Sequence, residues 1–450
     1  MDEQDPNPNR HTHHSHHHHT HEQHRRRKSL DDSSENAVLA TIQRDMAVID
    51  FNSTFWKAAH VSYHDNLVLS PMNVSFLMAF MRLGSRGNTY KEIVTTMKFH
   101  NEQLMVDECH LLIESMRNEP EFGKDLIISN AIFAPPYCIF RKELMDVAEK
   151  KFLTYIGQTD FSNLDNAVQE INTWVNETTQ SRISEIVSKD DFKSDNQLII
   201  INTLCFKGHW KVQFPFENTT TDNFFAAGGK KVTIDMMKNT MACPYADLPD
   251  FKAKAIGLPY RDGRFSLVIV LPEKRYGLAE VEKRLDTKFS LTIFSKLSIP
   301  PSTLIEINLP KFQVTSTDNI KSIFARIGMK SIFQENAELS GCFEKPEKQE
   351  KDKKDKLDKI HVSNLIQKIY IEINEVGGTG NENLETVDKI TTDPALPEST
   401  SEDEDAPVDS TNAETQSVEV IPFIVDHPFL YFLMDSKFGT TVFIGVHATF

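Results

Sequence analysis

Seventeen histidines and five cysteines hold most of the obvious reactivity of this 450-residue chain. Nine of the histidines fall in the first 36 residues, most of them in the run HTHHSHHHHTH at 11–21, with Arg25, Arg26, Arg27 and Lys28 close behind. Imidazoles at that density bind transition metals weakly. The same composition also makes an ordinary unstructured tail, and that reading is adopted for residues 1–37: a disordered, His-rich and basic N-terminal tail with no metal or cofactor expected. The four-base cluster suits a nuclear import signal or a phosphate contact, but four residues alone specify neither. Cys109, Cys138, Cys205, Cys243 and Cys342 lie far apart with no Cys-x-x-Cys pair. Such a set reads as buried free thiols in a reducing compartment, not as a disulfide framework. Gly-x-Ser-x-Gly, His-Glu-x-x-His and Gly-x-x-x-x-Gly-Lys are all missing, so no enzymatic chemistry is expected.

The strongest chemical signal is charge. Residues 376–420 carry twelve Asp and Glu against the single Lys389, which accounts for most of the net charge of −16. A surface of that sign repels phosphates, which argues against nucleic acid as a general partner. Within the segment, ESTSEDED at 398–405 places Ser399, Thr400 and Ser401 before acids, as an acidophilic kinase requires. Nothing approaches 18 consecutive apolar residues, so no membrane span is expected, and MDEQDPNPNR has no apolar run behind it, so no secretory signal is expected either. A cytoplasmic location is the expectation on that ground, with the extracellular space as the second choice. Four Asn-x-Ser/Thr sequons, at Asn52, Asn73, Asn176 and Asn218, weaken the intracellular reading slightly.

The elements that must carry this segment read as α+β. Apolar residues at helical spacing run through Val48, Phe51, Phe55 and Trp56, and again through Val74, Phe76, Leu77, Phe80 and Met81, with Ser70-Pro71 as a start signal. LIIINTLCF (198–206), FSLVIVLP (265–272), TLIEINLPKF (303–312) and KIYIEIN (368–374) each read as one buried strand. Helices gathered early and strands late predict antiparallel or mixed sheets. Two segments interrupt the pattern. EKPEKQEKDKKDKLDK (344–359) is a charged insertion, an exposed loop or a short solvated helix. Residues 376–420, with Gly377, Gly378, Pro394, Pro397 and Pro407, have the composition of disorder yet precede a thoroughly apolar chain end, so they must leave the body as a long loop.

In sequence order, NLVLSPMNVSFLMAFMRLGSRGNT (66–89), INTWVNETTQSRI (171–183), INTLCFKGHWKVQF (201–214), LPY (258–260), SLVIVLP (266–272), LPKF (309–312), IGM (327–329), KIYIEINEVG (368–377) and DHPFLYFLMD (426–435) resemble conserved blocks of the serpins, the serine protease inhibitor superfamily. The resemblance covers roughly residues 38–450, which are therefore expected to form a single serpin domain. It implies three β-sheets surrounded by helices, with an exposed reactive-centre loop at 376–420 offered as bait to a serine, or secondarily a cysteine, endopeptidase, and a monomer. In inhibitory members the cleaved loop enters the central sheet as a new strand, dragging the acylated protease along; a metastable native fold drives the step.

The resemblance also implies site residues. Glu375, Gly377, Gly378 and Thr379 fall at the hinge. Ser70, Asn73, Asn202, Trp210 and Gln367 fall where the sheet must open, with Asn73 in place of the usual Ser and Gln367 in place of the usual His. A count forward from the hinge puts the scissile bond at Thr391–Thr392, whereas a count back from Pro428 puts it near Ser417. Beyond the hinge the chemistry departs from small residues. If the loop becomes a strand, one face carries Glu382 and Asp388 and the other Glu385, so either register buries a carboxylate at a cost of several kcal/mol. Two functions are therefore carried forward: a serine-type endopeptidase inhibitor, and a non-inhibitory relative using the loop as an interaction or phosphorylation-regulated segment.

Overall fold

Alternation along one strand shows how the chain is layered. In Leu198–Phe206 the side chains of Leu198, Ile200, Leu204 and Phe206 enter the main core, while Ile199, Ile201 and Cys205 enter a second, smaller cluster on the opposite face. Both faces are covered, which is why the run is apolar throughout. The computed structural model describes residues 48–60, 65–98, 102–119, 124–193, 197–378 and 419–450. All belong to one compact unit, Val48–Phe450. The tail at 1–37, Thr379, Thr391, Thr392 and the 398–405 segment lie outside the described residues.

That strand, β4, is the middle of a five-stranded sheet ordered β11 (Phe312–Asn319), β12 (Val362–Ile373), β4, β2 (Leu126–Ala134), β3 (Thr154–Gln158). A six-stranded sheet runs β1 (Leu67–Leu69), β15 (Thr440–His447), β14 (Phe429–Asp435), β9 (Phe265–Pro272), β8 (Ala253–Pro259), β7 (Tyr245–Leu248). A four-stranded sheet runs β13 (Val420–Ile424), β10 (Leu304–Pro310), β6 (Lys231–Ala242), β5 (Thr220–Phe225). The second cluster is closed by Ala167, Ile171 and Val175 of the helix Leu164–Thr178, which repeat every fourth residue on one face.

The helix Pro71–Gly84 begins as its sequence signals. The Ser70 hydroxyl accepts the Asn73 amide at 3.2 Å, and Pro71 occupies the first turn, where a missing N–H costs nothing. Nearly every residue of this helix is buried in the main core. The charged insertion contains the short exposed helix Lys351–Leu357. One sequence expectation is corrected: TLIEINLPKF is not a single strand. It divides after Pro310 into β10 and β11, which belong to different sheets: the Lys311 amide makes the last bond to the β6 side, on the Asp235 carbonyl, and Phe312 already pairs with Ile373 of β12. The helices are not confined to the first half either, since Leu278–Lys283 and Thr287–Leu297 follow β9. Among the described residues no helix is long and apolar enough to cross a membrane.

The last strand carries a buried histidine. His447 sits among Phe312, Phe429 and Phe450, with ring centroids 4.8, 5.6 and 4.2 Å away. Burial among rings disfavours the imidazolium and lowers its pKa to about 3. A lowered folded-state value means that unfolding takes up a proton below the ordinary pKa of 6.5, so stability is held above that value and lost as pH falls toward 3. His447→Leu removes this loss. Urea unfolding from pH 7 to pH 4 should show the variant gaining on the parent by up to about 1.4 kcal/mol per pH unit, and a gap that stays constant with pH would refute the assignment.

Candidate functional site

The direction of the chain singles out one joint in the five-stranded sheet. β12 and β4 are parallel and paired without a gap from Asn364↔Ile199 to Ile371↔Phe206. Each is antiparallel to its outer neighbour, β11 and β2 respectively. A segment folding back from the end of β12 would therefore lie antiparallel to both strands only between β12 and β4.

Side chains close this joint. Register sets Gln367 opposite Asn202, and Asn202 opposite Asn130 of β2, so three amides line up across three strands on the face turned to the main core. The Gln367 carboxamide accepts the Ser70 amide at 2.9 Å and donates to the Ser70 carbonyl at 3.1 Å and to Asn202 Oδ1 at 2.5 Å. Asn202 Nδ2 donates to Asn130 Oδ1 at 2.8 Å, and Asn130 Nδ2 to Asn73 Oδ1 at 2.9 Å. Asn73 closes the ring through its amide on Ser70 Oγ, and its Nδ2 reaches the Thr203 carbonyl at 3.1 Å. Ser70 Oγ in turn donates to the Val442 carbonyl at 2.6 Å, tying the ring to β15. None of the five side chains is more than 1% exposed. Buried amides with their partners in place cost little, whereas the same amides parted and unsatisfied cost about 1–3 kcal/mol each. Gln367 has no titratable proton, so this ring does not respond to pH. Asn73 is consumed by it, which removes that sequon from modification in the folded chain; of the other three, Asn218 is exposed.

Trp210, the fifth residue expected where the sheet opens, lies outside the ring, at the C-terminal end of β12. Its amide donates to the Val376 carbonyl and its indole Nε1 to the Asn374 carbonyl, both at 2.9 Å. The indole stacks on Tyr260 with centroids 4.4 Å apart. The hinge folds over this platform. Glu375 is 3% exposed; its carboxylate accepts Thr219 Oγ1 at 2.8 Å and pairs with Lys311 Nζ at 3.1 Å, while its carbonyl takes the Phe214 amide. Asn374 Oδ1 caps the turn by accepting the amides of Val376 and Gly377. Gly377 has φ +132°, and a Cβ there would lie 2.0 Å from the Gly208 carbonyl, so only glycine fits. The described chain stops one residue later, at Gly378.

Sequence reading thus found four members of the ring and missed Asn130, Lys311, Thr219, Asn374 and Tyr260. Asn130 had a signal: it is the amide interrupting the apolar strand LIISNAIFA. The partners of Glu375 had none. All five cysteines are free, and burial pushes each thiol pKa up to about 12, far from a reactive thiolate. No group of three or more His, Cys, Asp or Glu among the described residues is arranged to hold a metal ion.

Comparison with known proteins agrees with this architecture. The family profile described as Serpin (serine protease inhibitor) matches residues 46–449. Human Serpin I2 is 25% identical over 403 residues, covering 88% of this chain and 89% of its own. A leukocyte elastase inhibitor from Xenopus tropicalis is 28% identical over 318 residues, covering 69% and 80%. Among solved structures, Serpin48 of the insect Tenebrio molitor superposes with a TM-score of 0.71 at 24% identity, over 90% of this chain and 98% of that one. Uncleaved ovalbumin superposes with a TM-score of 0.72 at 19% identity, over 90% and 99%. The chain belongs to the serpin family, and its three sheets with surrounding helices are the serpin fold.

Two outcomes follow from the geometry. Asn130→Leu keeps the branched shape of the side chain but strands Asn202 Nδ2 and Asn73 Oδ1, so chemical denaturation should show a loss of at least about 2 kcal/mol. Glu375→Gln removes the charge facing Lys311, and limited proteolysis should then cut more quickly around Asn374–Gly378 while the midpoint of global unfolding moves little.

Proposed function

We propose that this chain is a bait inhibitor of a serine-type endopeptidase, with residues 376–420 as the bait and no catalytic activity of its own. The observation that supports the reading most is the β4–β12 joint. The loop starts at the end of β12, and the one place where it can return as a doubly paired antiparallel strand is held by the side-chain ring of Ser70, Asn73, Asn130, Asn202 and Gln367. Cleavage near Thr391–Thr392 frees a segment of the length needed to fill that joint. New ladder bonds on both sides of the inserted strand would then offset the broken β4–β12 bonds and the parted Gln367–Asn202 pair. A cysteine endopeptidase is the second class of target, and the proposed inhibitor acts as a monomer.

A second reading rests on the loop residues themselves. Glu382, Glu385 and Asp388 fill both strand faces with carboxylate, which penalises insertion. On that reading the chain keeps the fold and uses the acidic loop to attract a basic partner, under control of phosphorylation at Ser399, Thr400 or Ser401.

Incubation with a panel of serine and cysteine endopeptidases separates the two. Inhibition gives a covalent complex that survives SDS, and cleaved chain that melts well above the intact chain. Nicking alone, with no gain in thermal stability, ends the inhibitor reading. The triple change Glu382→Ala, Glu385→Ala, Asp388→Ala should shift the products from nicked chain toward complex if carboxylate burial limits insertion.

A further inference from the structure

The helix Leu164–Thr178 and the sheet edge beneath it enclose an open groove of about 470 Å³ that the loop mechanism does not use. Its floor is aromatic. Tyr155 of β3 and Trp174 of the helix stack with centroids 5.6 Å apart and planes 20° apart, and Phe133 of β2 meets both edge-on at 6.0 and 5.9 Å. Tyr155 is ordered by the strand itself. A Cβ at Gly157 would lie 2.7 Å from Tyr155 Cε1, so glycine at that position lets the ring lie along the strand toward Trp174. The tyrosine is nonetheless 48% exposed, unusual for a ring packed on two others.

The rim is acidic. Glu170 and Glu177 flank Trp174 on the same helix face, four residues before it and three after, and no Lys, Arg or His lines the groove. Glu170 is held in place by Thr159 Oγ1, which donates to its carboxylate at 3.0 Å. Lysine or arginine covers several rings elsewhere in the fold, but among the described residues none sits over Tyr155, Trp174 or Phe133. An electron-rich floor with carboxylates at both ends complements a cation that is flat enough to lie on a ring and can fork onto a carboxylate. That is a guanidinium: an ammonium lacks both the plane and the fork. Seven helical residues separate the two glutamates, a rise of about 10 Å, which an extended peptide spans in about three residues.

We propose that this groove is a docking site for an arginine-bearing segment of a partner protein, with two arginines three residues apart stacking on the Tyr155–Trp174 floor and pairing with Glu170 and Glu177. The proposal does not rest on the reactive loop or on the inhibitor reading, since none of the lining residues belongs to the hinge or to the ring. Because the groove is built from both the helix and the sheet edge, its occupant would also tie the one to the other.

Tryptophan fluorescence tests it directly. Of the three tryptophans, Trp56 and Trp210 are 1% and 2% exposed, so Trp174 is the one that an added peptide can reach. The probe is an acetylated, amidated tetrapeptide with arginine first and fourth and alanine between. Saturable quenching is expected, weakening as salt rises, lost when citrulline replaces arginine, and absent in Trp174→Phe. Glu177→Gln should weaken binding about five-fold, the scale of one exposed ion pair, and Tyr155→Ala should weaken it further. Citrulline peptide binding as well as arginine peptide, spermidine binding in place of the peptide, or affinity unchanged in both Glu177→Gln and Tyr155→Ala would each overturn the proposal.

Discussion

The structure depends on how a pair of parallel strands is held shut in the middle of a sheet. β4 and β12 meet with their full ladder formed, and the amides of Gln367, Asn202 and Asn130 run across that ladder because register places them opposite one another. Ser70 and Asn73, at the start of the helix Pro71–Gly84, complete the ring from beneath. An apolar joint of the same shape would resist separation by burial alone. An amide joint adds a threshold, since each parted group must find a new partner before the cost is recovered. It also couples the sheet to the helix start and, through Ser70 Oγ, to β15.

The hinge is held by different means at the C-terminal end of the same strand. There the main chain is gripped by Trp210, Phe214 and the Asn374 cap, and one buried carboxylate, Glu375, is satisfied by Lys311 and Thr219. Lys311 is also the residue at which the chain passes from β10 to β11, so the anchor of the hinge and the junction of two sheets share one residue. The contacts of residues 374–377 thus reach β11's start through Lys311 and the segment before β5 through Thr219.

The opposite face of the sheet has its own apolar cluster under the helix Leu164–Thr178. Its packing accounts for the two-sided apolar pattern of β2 and β4. It also leaves one aromatic group, Tyr155 with Trp174, at the open edge where the helix overhangs β3. Two carboxylates beside it give that edge a chemistry the amide ring lacks, and the groove and the ring lie on opposite faces of one sheet.

By itself the sequence determined what depends on near neighbours. The Ser70-Pro71 helix start, the apolar runs of β4 and β9, the glycine at the hinge and the acidity of 376–420 are all local patterns of period, cap or composition, as are the ordered blocks that resemble serpins. The tertiary structure alone decided which polar residues meet. Ser70 and Gln367 are 297 positions apart, and Glu375 finds Thr219 from 156 positions away. It also joined Asn130 to the ring and split TLIEINLPKF between two sheets. Period and propensity act over a few residues, whereas register between distant strands is set by how all three sheets fill one core, and no stretch of this chain contains that information locally.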